Sequence, residues 1–338
     1  MDAGDHERRH RRAGWARNAP LRSAAAGPGA RADQGPAGRR RATPPRRAAD
    51  GAARPPRSCL LDREGQPEGG AQPPWLGQDA ELGPGIRPAT AQRVTVQGGS
   101  VLVTGGSRGI GKAIALRFAE AGAQRVAIGY LRNDRAAEET AEELRALGAE
   151  PVLVRGNISG ERVLREVTEL GPLDAVVHNA ATGVIRPALE VEDKHWDWTL
   201  GANARALLSL ARAAAPTMPP GSSIVGISSL GSTRVLENYI LVGTSKAALE
   251  SLVRYLAVEL APRGIRVNAV SAGVVETEAL RHFPNREDML RAGRERTPAG
   301  RLVEPRDVAD AVQFLCSPQA DMVRGHILIV DGGFSLLA

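Results

Sequence analysis

The sequence predicts a doubly wound α/β fold, a mostly parallel seven-stranded sheet with helices on both faces. Three observations predict it. From Ser100 onward, apolar runs alternate with segments of helical periodicity. The runs are continuously apolar, as strands buried on both faces must be. Seven such units follow one another in residues 97–338, with no internal repeat and no second domain, which suits one sheet linked by crossover helices.

The elements follow in order. "SVLVT" (100–104) is the first strand; a glycine-rich turn and the helical "GKAIALRFAEAG" come after it. "RVAIGY" (125–130) is the second strand. In the helix after it, Ala137, Ala141 and Leu144, with Ala136, Thr140 and Leu147 beside them, recur at three and four, the spacing of one helical face. "PVLVR" (151–155), "DAVVH" (174–178), "SIVGIS" (223–228), "IRVNAV" (265–270) and "HILIV" (326–330) supply the other five strands. Helix 246–260 is apolar nearly all round, as expected if one face meets the sheet and another a second subunit. The stretch around 276–303 is too long for a simple crossover. It lies beyond the carboxyl ends of strands, where ligands bind in such folds, so it reads as a substrate lid.

Residues 1–96 are different: rich in Arg, Ala, Gly and Pro, without a lysine through residue 95 and without apolar periodicity. Such a segment cannot bury enough apolar surface to offset chain entropy, so it is expected to be disordered. The formal net charge of +6 belongs to this extension. A basic arm for nucleic acid or membrane is one reading; a transit peptide sits poorly with Asp2, Asp5, Glu7 and the prolines. The reading preferred here is translated upstream sequence, with the functional start near Val94 or Val96, no nucleic-acid partner and no membrane role. Cys59 and Cys316 make no disulfide framework, and no apolar run reaches the ~18 residues of a membrane span. A soluble, reducing, cytoplasmic setting is expected.

"TGGSRGIG" (104–111) sits between a strand and a helix. Gly105 permits the tight turn, Gly109 lets backbone approach a pyrophosphate, and Gly111 allows close helix–strand contact. The free N–H groups and partial positive charge of the helix N-terminus suit phosphate. Ser107 and Ile110 belong to the same loop. A carboxylate at the end of the second strand would mark an unphosphorylated ribose. Here Arg132 comes before any acid and Arg108 projects from the glycine loop. Two guanidinium groups suit a 2′-phosphate, so NADPH is the expected cofactor. The bland alternative is that Arg132 merely caps a solvated loop.

In this order, "TGGSRGIG", "HNAA" (178–181), Asn203, "ISS" (227–229), Lys246 and "VDGG" (330–333) make residues 97–338 resemble the short-chain dehydrogenase/reductase superfamily. "HNAATGVIRPALEVEDKHWDWT", "SSLGSTRVLENY", "RTPAGRLVEP" and "ADMVRGHILIVDGG" are similar, more narrowly, to enoyl-acyl-carrier-protein reductase III, the FabL type. The resemblance implies a Rossmann-like sheet of order 3-2-1-4-5-6-7, NADPH, a fatty acyl thioester on acyl carrier protein or coenzyme A, and a homotetramer. It puts Tyr239 and Lys246 on that family's Tyr-x6-Lys pair, Asn157 and Ile158 at the adenine, and Asn179 at the sheet and cofactor ribose. Thr277 falls at the nicotinamide amide, and Asn203 and Ser229 fall at supporting polar positions. Departures are His178 for the usual asparagine, Ala272 for a common proline, and a short segment between Asn157 and Asp174. That last departure leaves the third crossover helix unsettled.

In ketone-reducing members of the superfamily the tyrosine stands four before the lysine; here that position is Val242. Residues seven apart on a helix differ by roughly 20° around the axis and ~10.5 Å along it. Tyr239 therefore shares a face with Lys246 if the helix extends back that far. Reduction of a 2-enoyl thioester delivers hydride to C3 while charge develops on the oxygen at C1. A phenol set further out suits that separation and is misplaced for a ketone. Tyr239 is thus read as the enolate-stabilising donor, Lys246 as the ribose ligand that makes the phenol more acidic, Asn203 as an organiser of water or a backbone kink, and Ser229 as pocket polarity. Arg281, Arg286, Arg291, Arg294 and Arg296 on the lid are candidates for meeting an acidic carrier, although charge runs are more often solvated. No ligand spacing supports a metal at His178 or His195, and Trp196 and Trp198 read as core or interface packing. Two other readings stay open: a carbonyl reductase, and a catalytically idle nucleotide-binding protein.

Overall fold

A computed structural model of the chain describes residues 96–278, 280 and 286–337. Residues 1–95, which hold Cys59, lie outside the described residues, as does Arg281. Val96, at the end of the extension by sequence, is buried.

The strands are β1 (Ser100–Thr104), β2 (Arg125–Tyr130), β3 (Glu150–Arg155), β4 (Ala175–His178), β5 (Ser223–Ser229), β6 (Arg266–Ala272) and β7 (Ile327–Val330). They form one sheet of order β3-β2-β1-β4-β5-β6-β7, and every neighbouring pair is parallel. In register, Val103 lies between Ile128 on β2 and Val177 on β4. The helices are α1 (Gly109–Glu120), α2 (Asp134–Ala146), α3 (Glu161–Glu169), α4 (Asp193–Leu200), α5 (Ala206–Ala214), α6 (Ile240–Glu259), α7 (Arg286–Arg296) and α8 (Pro305–Cys316).

Because successive side chains of a strand point to opposite faces, each strand feeds two cores. On one face Val101, Val103, Val225, Ile227 and Val270 pack with Ile114 and Phe118 of α1 and Val308 and Val312 of α8. On the other, Leu102, Val176, Ile224 and Val267 meet Val163 of α3, Leu207 and Leu210 of α5, and Leu249 and Val253 of α6. The third crossover helix exists: α3 buries only Val163 and Val167, spaced at four on one side. β1 is flanked by β2 and β4, so the chain order reverses there and opens a crevice beyond the carboxyl ends of the strands.

Four details differ from the sequence reading. Helix α1 begins at Gly109, inside the glycine loop, and α6 begins at Ile240 with Tyr239 as its N-cap. Trp196 and Trp198 lie within α4 and are half exposed, so of core and interface packing they are not core. "IRVNAV" is not wholly apolar in its packing role. Arg266 is fully buried, its guanidinium donating to the carbonyls of Ser317, Cys316 and Gly221.

Candidate active site

The glycine loop leaves β1 and turns into α1. Gly105 has φ +66°, and a Cβ there would stand 2.9 Å from Asn179 Nδ2. A Cβ on Gly111 would stand 2.0 Å from the Gly105 carbonyl oxygen, so only glycine lets the helix start rest on the loop. Gly109 has φ +54°, and its outer side is open except for the Thr277 side chain at 3.6 Å. The first turn of α1 carries no acidic residue, and Arg108 makes no side-chain cap. An uncapped, unopposed helix start beside a glycine cradle fits a dinucleotide's phosphates.

Around that cradle, Asn179 ties the two strand ends together. Its Nδ2 donates to the carbonyls of Thr104 and Gly105, both at 3.1 Å, and its N–H donates to the Thr104 hydroxyl. Ser107 is buried, and its carbonyl accepts from the Thr140 hydroxyl of α2 at 3.1 Å. Ile110 packs against the core. Arg132 is exposed at the end of β2. Arg108 spans to the segment after β6, 2.8 Å from Glu278, and both side chains are more than half exposed. Asn157 accepts from the Ser159 N–H and so closes the turn before α3, while Ile158 is buried in the core under α5.

The ionisable candidates Lys246 and Tyr239 lie between β5 and α6. Lys246 is 5% exposed, and its Nζ donates to the Ile227 carbonyl at 2.7 Å. Burial brings its pKa down to about 8, with Glu250 opposing that fall. The Tyr239 hydroxyl donates to Ser229 Oγ at 3.4 Å. Burial raises the phenol's pKa, and the Ser229 contact only partly offsets this. Burial thus sets the net direction for the phenol, and the Lys246 ammonium donates to the Ile227 carbonyl.

The phenol does not reach its place by helical periodicity. Tyr239 is the cap of α6, and its ring lies over Gly231, where a Cβ would stand 2.4 Å from Cε1. Asn238, just before it, has φ +58°, and its carbonyl accepts from the Arg186 N–H at 2.9 Å. Strained backbone of this kind persists where the surroundings over-determine it. Val242 fills the position nearer the lysine and faces Gly183, where a Cβ would stand 2.5 Å from Val242 Cγ2.

Asn203 does form a backbone kink. It lies in a π turn, Gly201–Arg205, between α4 and α5. Its side chain is spent on structure: Oδ1 accepts from the Thr182 N–H, and Nδ2 donates to the Thr182 carbonyl and Ser245 Oγ. His178 is fully buried beneath it. Nε2 lies 3.1 Å from the Asn203 carbonyl and Nδ1 lies 3.2 Å from the Thr104 hydroxyl. A carbonyl only accepts, so Nε2 carries the proton and Nδ1 accepts from Thr104. Burial and the nearby Lys246 charge hold the ring neutral, with a pKa of about 4.

The arginines of α7 expected to face a carrier are paired or stacked within the chain. Arg286 and Arg294 both reach Glu276, Arg291 meets Asp288, and Arg296 lies over the Phe334 ring. Among the described residues, no group of three or more His, Cys, Asp or Glu side chains could hold a metal. No helix among them is long and apolar enough to cross a membrane. Sequence reading missed Gly231, Asn238 and Glu250. "NY" before the helix, a turn residue favoured at positive φ, was the available signal for Asn238.

Residues 105–335 match the family described as enoyl-(acyl carrier protein) reductase. The 1-cyclohexenylcarbonyl-CoA reductase of Streptomyces collinus is 36% identical over 244 residues, covering 70% of this chain and 87% of that protein. L-xylulose reductase of Mus musculus is 36% identical over 241 residues, covering 70% and 96%. Among solved structures, the enoyl-acyl carrier protein reductase of Bacillus cereus, with NADP+ and indole naphthyridinone, matches with a TM-score of 0.68 at 30% identity. That match covers 72% of this chain and 98% of the other. Relatives of such different substrates share one scaffold and one kind of chemistry over the same span, so the chain is an oxidoreductase and belongs to the short-chain dehydrogenase/reductase superfamily.

Proposed function

We propose that the protein is an NADPH-dependent reductase of 2-enoyl thioesters carried on acyl carrier protein or coenzyme A, acting in fatty acid elongation. One observation carries this reading. The phenol near the site belongs to Tyr239, at the head of α6, while the position beside the lysine holds Val242, which cannot donate a proton. The acid thus stands away from the carbon that would be reduced in a ketone and suits an oxygen two carbons further on. A thioester reductase of Streptomyces collinus among the relatives and an NADP+-bound enoyl reductase among the structures agree with it.

Gly105, Ser107, Arg108, Gly109, Ile110 and Gly111 would hold the dinucleotide's phosphates, with Arg108 and Arg132 toward a 2′-phosphate. Asn157 and Ile158 would border the adenine, Asn179 and Lys246 the ribose, and Thr277 the nicotinamide. Bound NADPH supplies the hydride for C3. Tyr239 donates its O–H to the thioester oxygen, where negative charge develops as C3 is reduced. The raised proton affinity of the phenol keeps this donor protonated at neutral pH. C2 is then protonated from solvent or from the phenol, which returns the oxygen to a carbonyl. Ser229, which accepts the Tyr239 hydroxyl at 3.4 Å in the structure, would release that O–H to the thioester oxygen, and Asn203 anchors the loop at Thr182 against α6 through Ser245. A homotetramer fits the exposed Tyr255 and Val258 on the outer side of α6 and the half-exposed Trp196 and Trp198.

L-xylulose reductase among the relatives keeps carbonyl reduction as the second reading. Purified protein with NADPH and either crotonyl or acetoacetyl thioester, followed by absorbance, separates them. Oxidation with crotonyl thioester alone is expected. Oxidation with acetoacetyl thioester alone would establish the carbonyl reading, and oxidation with neither would point to an idle nucleotide-binding protein. Tyr239→Phe is expected to lower enoyl turnover by roughly 10²-fold or more while NADPH binding survives.

A further inference from the structure

Helix α6 carries a second buried ionisable group that the proposed chemistry does not use. Glu250 follows Lys246 by four residues, about 6 Å along the axis and ~40° around it, so both face the sheet. Glu250 is 7% exposed and Lys246 is 5% exposed. The Glu250 carboxylate accepts a 2.5 Å hydrogen bond from the Ser228 hydroxyl. Lys246 meets the carbonyl of Ile227, and Tyr239 meets the hydroxyl of Ser229. Three successive residues of β5 therefore hold three ionisable groups of α6. A buried carboxylate whose one hydrogen-bonding partner in the structure is a hydroxyl is costly to keep unless an opposite charge lies near.

We propose that Glu250 is a positioning residue whose negative charge keeps the Lys246 ammonium protonated in its dry berth, and so sets the alkaline boundary of cofactor binding and turnover. The proposal rests on the role given to Lys246 above. The balance of forces supports it: burial lowers the proton affinity of Lys246, and Glu250 is the influence opposing that. The other titratable groups near the lysine are His178 at the end of β4, which is neutral, and the Tyr239 phenol at the head of α6. No charged group of β5, β6, α4, α5 or the π turn enters the balance at Lys246.

The test measures NADPH binding by nicotinamide fluorescence, and kcat/KM for crotonyl thioester, from pH 6 to 10. In the unaltered protein both are expected to fall with a midpoint near 8. In Glu250→Gln the midpoint moves toward neutrality by on the order of one pH unit, with binding at pH 6 unchanged; Glu250→Asp keeps the original midpoint. A purely structural carboxylate would instead weaken binding equally at every pH. An unmoved midpoint in Glu250→Gln overturns the proposal. Should that variant not fold, Glu250→Met decides: it removes the charge at similar volume, the midpoint moves the same way, and no movement overturns the proposal. Lys246→Met separates the two claims. If it keeps the alkaline fall, the role of Lys246 itself fails; if it loses the fall while Glu250→Gln keeps it, Glu250 alone fails.

Discussion

Tyr239 owes its position to a neighbour with no side chain. Its ring lies where a Cβ on Gly231 would come within 2.4 Å of Cε1 and 2.6 Å of Cδ1, so Gly231→Ala must push the ring outward. A displacement near 1 Å at a reacting group costs on the order of 10²-fold in rate. The expected result is that loss in enoyl turnover with NADPH affinity and melting temperature nearly unchanged; full activity in the variant would show that the ring's present place is not the working one. Gly243 completes the contact, because a Cβ there would stand 2.6 Å from the Gly231 carbonyl oxygen. Tyr239 and Lys246 were legible in the sequence because their types and spacing carry chemistry. Gly231 and Asn238 were not, since a glycine or an asparagine in "SSLGSTRVLENY" takes its meaning from a turn that closes on a ring several residues away.

The glycine loop with α1 shows the opposite case, an element whose geometry was readable while its electrostatics were not. Apolar continuity placed all seven strands to within two residues at either end, because the central strands are buried on both faces and keep an apolar run even where a polar residue such as Arg266 interrupts it. The π turn after α4 was legible only as a kink expected from the family resemblance at Asn203: nothing in Gly201–Arg205 announces the widening, which follows from contacts that Asn203 makes with Thr182 and Ser245. Nor did the sequence reveal that Arg108 is bound to Glu278, beyond the end of β6. An exposed pair of this kind is worth roughly 0–1 kcal/mol, so a 2′-phosphate can draw the guanidinium away at little cost. Arg132, exposed at the end of β2, has no such competing carboxylate among the ion pairs of the described residues. Arg132→Ala is therefore expected to raise KM for NADPH about tenfold, leaving KM for NADH and kcat near their original values. Equal losses with both nucleotides would remove Arg132 from phosphate recognition and leave that role to Arg108.

Stability of the folded unit is linked to the same site through His178. It joins β1 through Thr104 to the π turn through Asn203, at the centre of the sheet and wholly out of water. Its folded pKa is about 4, against an ordinary value of 6.5, because burial and the Lys246 charge oppose the imidazolium. Above pH 6.5 the ring is neutral whether the chain is folded or not, and the linkage is silent. Between 6.5 and about 4 the unfolded chain takes up a proton that the folded one refuses, so stability falls with falling pH. Across that window the loss is on the order of 3 kcal/mol, a large part of the 5–15 kcal/mol typical of a domain. His178→Asn keeps donors and acceptors near Thr104 and Asn203 but cannot titrate. At fixed protein concentration, urea midpoints at pH 8 and pH 5 are expected to diverge in the unaltered protein and to draw together in the variant, even if the variant starts lower at pH 8. Equal pH dependence in both proteins would mean that the acid sensitivity resides in the carboxylate pairs of the surface rather than in the ring beneath the active site.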